Sequence, residues 1–286
     1  MLQSKKSNCN YNALGQNAKP ALVKTFIILL VLIASACEQG EPTPQKTSIS
    51  DVMNAISSRS LKEIQNIEYT ASGKFIEPHQ EGAEMQEYGH VSATYKYTVV
   101  SRLTERKLNY QWDQTFIYPF AYEGQSTIII NDKTGSIEGA HGMGSKFFGY
   151  DAPAPLYSSR LEAILKTYKL ANPVELVQFL HEKGSETLVD AQNRFSLEQG
   201  DGLPVIELSI DPSTNLPVNA SVLEADFLMG DVLFKVQYDE WEQADDETLY
   251  PTRLTYWLGG EQIRSEIITN VVINPYIEAI AVSLTS

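Results

Sequence analysis

Residues 67–75, IEYTASGKF, alternate without a break. Ile67, Tyr69, Ala71, Gly73 and Phe75 fall on one side of an extended chain, and Glu68, Thr70, Ser72 and Lys74 fall on the other. A period of two is the spacing of a strand with one buried face. The same spacing returns in ATYKYTVV (93–100), in RKLNYQW (106–112, with Leu108, Tyr110 and Trp112 in phase) and in STIIINDKTGSIEG (126–139). The last contains Asp132-Lys133-Thr134-Gly135, a hairpin-turn signal, and so reads as two strands. Further on, LPVIELSI (203–210) and LPVNASVLEA (216–225) are split by the turn sequence DPSTN. DVLFKVQYDEW (231–241), LYPTRLTYWL (249–258) and EQIRSEIITNVVIN (261–274) follow, all rich in β-branched and aromatic residues.

Helical spacing interrupts this pattern in two places. A short helix is expected near residue 50, capped by Ser50 or Asp51, with Val52, Ile56 and Leu61 as its apolar stripe. In the middle, SSRLEAILKTYKL (158–170) puts Leu161, Ile164, Leu165 and Tyr168 on one face. NPVELVQFLHEKG (172–184) then begins with Asn172 as N-cap and Pro173 at the first helical position, and stops at Gly184. About ten strands in two groups, a helix pair between them and no βαβ rhythm predict an α+β architecture. The expected form is one large, curved antiparallel sheet, a half-barrel, with the helix pair packed on its concave face.

The N-terminal segment concerns location. TFIILLVLIASACEQG (25–40) has an apolar run of eleven residues, Phe26 to Ala36, against about 20 for a spanning helix. Lys19 and Lys24 precede it and Ala34-Ser35-Ala36 close it, the layout of a secretory signal. Cys37 directly after the small residues resembles the bacterial lipobox, in which the thiol is acylated; an ordinary signal cleaved near a cysteine is the alternative. The resemblance implies a lipid-anchored chain, and Glu38 in place of Asp implies the periplasmic face of the outer membrane. A start at Val23 would give a compact signal and leave residues 1–22 untranslated. The expected organisation is then a signal peptide over 1–36, lipidated Cys37 and a spacer over 37–48, one β-rich domain over 49–275 and a tail over 276–286.

Charge excludes one class of partner. The chain of 286 residues carries 22 Lys and Arg against 36 Asp and Glu, a net charge of −14, and removal of the lysine-bearing signal makes this −18. Such a chain repels phosphate backbones, so no nucleic-acid partner is expected. With Cys9 removed and Cys37 acylated no disulfide remains, and stability must come from the core.

Catalytic signatures are sparse. His79, His90, His141 and His181 form no HxH, HxxxH or HExxH spacing, and neither a nucleophile elbow nor a phosphate-binding glycine loop occurs. No catalytic residue, metal site or cofactor is therefore assigned, and a non-enzymatic role is expected. The glycine-rich EGAHGMGSKFFG (138–149) is expected to be a connection, and the acidic DEWEQADDETLYP (239–251) a solvated hairpin turn rather than a calcium loop, whose spacing it lacks. The aromatic residues are more telling. Tyr69, Phe75, Tyr110, Trp112, Phe234, Tyr238 and Tyr256 share one sheet face, and Phe179 of the helix pair can cover it. Such residues form either a dry core or, where the sheet curls, the wall of a cavity for an apolar ligand.

Two segments resemble a known family. SSRLEAILKTYKLANPVELVQFL (158–180) is similar to a helical stretch, and YDEWEQADDETLYPTRLTYWLGGEQIRSEIITNVVINP (238–275) to a strand series, in the non-catalytic N-terminal β domain of bacterial metallo-β-lactamase-fold hydrolases. The Y-P-T-R strand at 250–253 also resembles the half-barrel of LolA and LolB lipoprotein-sorting carriers. The hydrolases' HxHxDH motif is missing, so the resemblance carries over no catalytic residue. It implies a lipid-anchored domain that binds an apolar ligand, a lipid or a partner protein, or else an orphaned or truncated accessory domain of such a hydrolase.

Overall fold

The computed structural model describes residues 47–77, 90–117, 121–139, 150–184, 193–197, 204–226 and 230–276. The signal segment, Cys37, most of the spacer, His79, His141, the greater part of the glycine-rich stretch and nearly all of the tail lie outside the described residues. Those described belong to one compact unit, Lys46–Ser286.

Twelve strands form a single sheet: β1 (Asn66–Glu77), β2 (His90–Arg102), β3 (Lys107–Phe116), β4 (Tyr122–Asn131), β5 (Thr134–Gly139), β6 (Tyr150–Pro155), β7 (Arg194–Leu197), β8 (Ile206–Ile210), β9 (Pro217–Asp226), β10 (Gly230–Gln243), β11 (Leu249–Leu258) and β12 (Glu261–Ile273). Their order across the sheet is β6-β5-β4-β3-β2-β1-β12-β11-β10-β9-β8-β7, with every neighbouring pair antiparallel. The sheet is thus two meanders sewn together at β1 and β12. Helix α1 (Ile49–Ile56) leads into the first meander, and α2 (Ser158–Ala171) and α3 (Pro173–Gly184) join β6 to β7.

That connection explains the helix pair's position. Strands β6 and β7 are the two outer edges, so the chain between them must cross the sheet. Helix α2 touches β5 on one side and both β9 and β10 on the other. In a flat sheet eight strand spacings would separate β5 from β9 by about 38 Å. The 14 residues of α2 measure about 21 Å. Only a sheet curled around the helix meets both constraints. The architecture is α+β, an open, curved antiparallel sheet with helices on its inner face.

Local rules account for the ends of the helices. Ser48, rather than Ser50 or Asp51, caps α1: its Oγ accepts from Asp51 N at 3.2 Å, while Ser48 N donates to Asp51 Oδ2 at 2.7 Å. This reciprocal capping box places Asp51 in the first turn, where its carboxylate also favours the helix dipole. Asn172 caps α3 as expected, its Oδ1 accepting from Glu175 N at 3.3 Å. Val52 and Ile56 are fully buried, and Leu61 joins them from a short 3-10 turn at Leu61–Glu63.

Within the acidic stretch 239–251 the turn is confined to 244–248: β10 runs further than expected, to Gln243, and β11 begins at Leu249. Asp245 Oδ1 accepts from Glu247 N and Thr248 N at 3.0 and 2.7 Å. Arg59 bridges Asp245 and Glu247 at 2.8 and 2.7 Å, so the turn holds the chain leaving α1.

Candidate functional site

Alternation along β12 places Arg264, Glu266 and Ile268 on one parity, and that parity points inward. The Glu266 side chain is fully buried and Arg264 nearly so. An isolated carboxylate could not remain there, because burying an unpaired charge is prohibitively costly. Glu266 instead accepts from Tyr95 Oη at 2.9 Å, Tyr97 Oη at 3.2 Å and Tyr256 Oη at 2.6 Å, and it pairs with Arg264 Nη2. Arg264 Nε donates to Tyr95 Oη at 2.6 Å. The guanidinium carbon lies 4.6–5.8 Å from the ring centres of Tyr256, Tyr95, Phe75, Trp112 and Tyr97. Burial works against the guanidinium's charge, but Glu266 and the surrounding phenols outweigh it and hold Arg264 firmly protonated. Burial also pushes the Tyr95, Tyr97 and Tyr256 hydroxyls well above their ordinary range, so all three remain donors.

The aromatic face closes around this ion pair. Tyr97 lies 4.3 Å from Trp112 and 5.6 Å from Tyr110, and Tyr110 meets Tyr168 of α2 edge-on at 6.2 Å. Tyr69 contacts Tyr97 and Tyr250, and Phe234 contacts Tyr256. Tyr238 donates its hydroxyl to the Leu170 carbonyl at 2.5 Å and so fixes the end of α2 to β10. Of the residues expected to wall a cavity, Tyr69, Tyr110, Trp112, Phe234, Tyr238 and Tyr256 are buried within one continuous core, with Phe75 packed against it. Their rings are satisfied by one another and by α2. Phe179 of α3 is likewise half-buried and packed against that core.

Space opens on either side of the helix pair. One cleft of ≈ 580 Å³ runs between α2 and the β8–β9 hairpin over Leu108, Leu165, Ile206 and Val222. A second of ≈ 580 Å³ lies beside α3 over Met53, Ile64 and Phe179. Both are lined by Leu103, Arg106, Lys169 and Glu175, so the two meet at these four side chains. Arg106 has a left-handed backbone (φ 51°) between β2 and β3, and its carbonyl accepts from Asp132 N at 3.0 Å, tying two hairpin turns together. Lys169 Nζ sits 3.8 Å above the Phe179 ring. Turn and helices together bring in this cluster, which no single periodic segment marks.

Glu175 is the titrating member. Burial raises its carboxyl to about 7, against the opposing pull of Lys169 and Arg106. A folded value above the ordinary 4.5 means that the neutral form is favoured in the folded state. Its contribution to stability is complete below pH ~4.5 and lost as pH rises through ~7. Glu175→Gln is therefore expected to stabilise the protein by about 1–2 kcal/mol at pH 8, after allowance for partial solvent screening, and to change little at pH 4. Thermal melts at the two pH values check this; equal melting points at pH 8 would show that the carboxylate lies in an aqueous setting.

No protein-family model matches the chain, and no curated protein matches it in sequence. Among solved structures it is similar to a crystal structure from Vibrio parahaemolyticus, described provisionally as an outer membrane lipoprotein-sorting protein domain. The identity is 9%, the TM-score 0.36, and the match covers 81% of this chain and 95% of that one.

Proposed function

We propose that this protein is a non-catalytic, lipid-anchored domain at the periplasmic face of the outer membrane that holds an apolar ligand. The carrying observation is the pair of clefts flanking α2 and α3, which set apolar side chains beside charged ones and meet at Leu103, Arg106, Lys169 and Glu175. An apolar concavity with a few convergent polar groups is the usual form of a small-ligand site. In this reading the ligand lies in these clefts rather than among the sheet aromatics, which pack in the buried core. Cys37 supplies the tether: each buried acyl CH₂ contributes about 0.8 kcal/mol, so multiple acylation anchors firmly. In the alternative role, as an accessory domain of a metallo-β-lactamase-fold hydrolase, the same surface would meet a protein.

Cys37→Ser is expected to move the protein from membranes to the soluble fraction without unfolding it; retention on membranes at high salt would refute the anchor. The soluble form should bind a hydrophobic fluorescent probe saturably, with displacement by a fatty acid. Phe179→Asp, shown by circular dichroism to remain folded, should weaken the probe at least tenfold. A folded protein that binds no probe would overturn the ligand-holding role.

A further inference from the structure

The lining of the two clefts runs against the charge of the whole chain. Among the described residues, six Lys and Arg side chains line them: Lys62, Arg102, Arg106, Lys166, Lys169 and Lys183. Four acids do so among the described residues: Glu162, Glu175, Glu182 and Glu224. In a protein of net charge −14, the described lining carries a local excess of positive charge beside apolar side chains.

The cations differ in what engages them. Lys166 is held by Glu224 at 2.6 Å, and Arg102 by Glu105 at 3.5 Å. Arg106 reaches the exposed Asp132 at 3.4 Å, its one ion pair among the described residues. Lys169 is half-buried, lies over an aromatic face, and has no carboxylate within ion-pair distance among the described residues. Burial lowers its pKa, the direction expected of an ammonium short of compensating charge. The carboxyl in best position to compensate it, Glu175, belongs to the same cluster, and burial holds that group partly protonated near neutral pH.

We propose that the junction of the two clefts is a headgroup site for a single-chain anionic amphiphile: Lys169 and Arg106 receive the anion, and the cleft over Leu108, Leu165, Ile206 and Val222 takes the alkyl chain. This rests on the ligand-holding role above and adds the sign of the ligand's charge. Two positive side chains set at the mouth of an apolar cleft favour an anion and oppose a cation by the same electrostatics. Because a bound anion raises the cost of an ionised Glu175, binding is linked to uptake of a proton there. The other charged and titratable groups lining the clefts with Glu175 are, among the described residues, Glu162, Lys166, Tyr168 and Lys169 on α2, Arg102 and Arg106 at the β2–β3 turn, Lys62 on the 3-10 turn, Glu224 on β9, and His181, Glu182 and Lys183 further along α3.

The test uses soluble Cys37→Ser protein and three C12 compounds below their micellar concentrations, measured by calorimetry. They are dodecanesulfonate, whose charge is constant with pH, dodecanol and dodecylamine. Dodecanesulfonate is expected to bind at least tenfold more tightly than the other two. Its affinity should rise severalfold from pH 8 to pH 6 in the wild type and stay flat in Glu175→Gln. Lys169→Gln, which breaks no ion pair among the described residues, should reduce dodecanesulfonate affinity about tenfold and leave dodecanol unchanged. Equal binding of all three compounds would overturn the headgroup site and leave the apolar-ligand role standing. Binding of none would overturn both. Inorganic phosphate competing as well as the alkyl sulfonate would overturn the amphiphile and leave a simple anion site.

Discussion

Glu266→Ala is expected to cost about 3–5 kcal/mol of folding stability, the loss typical when one member of a buried ion pair is removed. The substitution leaves the Arg264 guanidinium in the core without a counter-charge. It also takes the acceptor from Tyr95, Tyr97 and Tyr256, whose hydroxyls lie 2.9, 3.2 and 2.6 Å from the carboxylate. Each buried donor left unpaired adds its own desolvation cost. Against a domain stability of about 5–15 kcal/mol, the variant should melt at much lower urea concentration or fail to accumulate. A second substitution separates charge from packing. Replacing the pair together, Arg264→Met with Glu266→Leu, should cost less than Glu266→Ala alone, because no uncompensated charge remains. If Glu266→Ala melted within about 1 kcal/mol of the wild type, the ion pair could not be holding the sheet.

The interior strands were readable because each carries one apolar parity, and β11 begins and ends where its alternation does. The two strands absent from the sequence reading, β6 and β7, are the two edges of the sheet. Strand β6, YDAPAP, contains Pro153 and Pro155, which argue against a strand anywhere but at an edge, where one side of the ladder needs no donor. Strand β7, RFSL, has four residues, too few to establish a period. The start of α3 was legible to the residue, because Asn172 and Pro173 act through local chemistry alone, and α2 runs one residue past its expected end, to Ala171.

The site was only half legible, for a different reason. Arg264 and Glu266 share parity with Ile268, so the strand sequence already puts two charges on a buried face. What satisfies them comes from elsewhere: Tyr95 on β2 and Glu266 on β12 are 171 residues apart and meet across β1, which pairs with both strands. Strand alternation shows which face a residue takes, but not which strand lies beside it. The cleft cluster was harder still, since Arg106, Lys169 and Glu175 come from a turn and two helices. The aromatic residues were correctly grouped on one face, yet grouping does not distinguish rings that line space from rings that fill it.

Gly73→Ala is the second substitution with a large expected effect, although Gly→Ala within an element ordinarily stabilises by reducing unfolded-chain entropy. Gly73 lies opposite Tyr95 on β2 and opposite Glu266 on β12. The Tyr95 ring passes over this gap to reach the carboxylate. A Cβ at position 73 would lie 2.6 Å from Tyr95 Oη and 2.8 Å from its Cζ, and would also press on the Ser265 carbonyl oxygen. The ring could move only by giving up its bonds to Glu266 and Arg264, and the carbonyl could move only by distorting the β1–β12 ladder. Overpacking of this kind costs about 1–3 kcal/mol, and the lost hydrogen bonds add to it, so a loss of about 3 kcal/mol or more is expected. Urea melts of Gly73→Ala, Tyr95→Ala and the double variant check the cause. Removing the ring should relieve part of the strain, making the double variant more stable than the two single losses added together. Additive losses would place the whole conflict at the Ser265 backbone, and a neutral or stabilised Gly73→Ala would mean that Tyr95 does not cross the strand to reach Glu266.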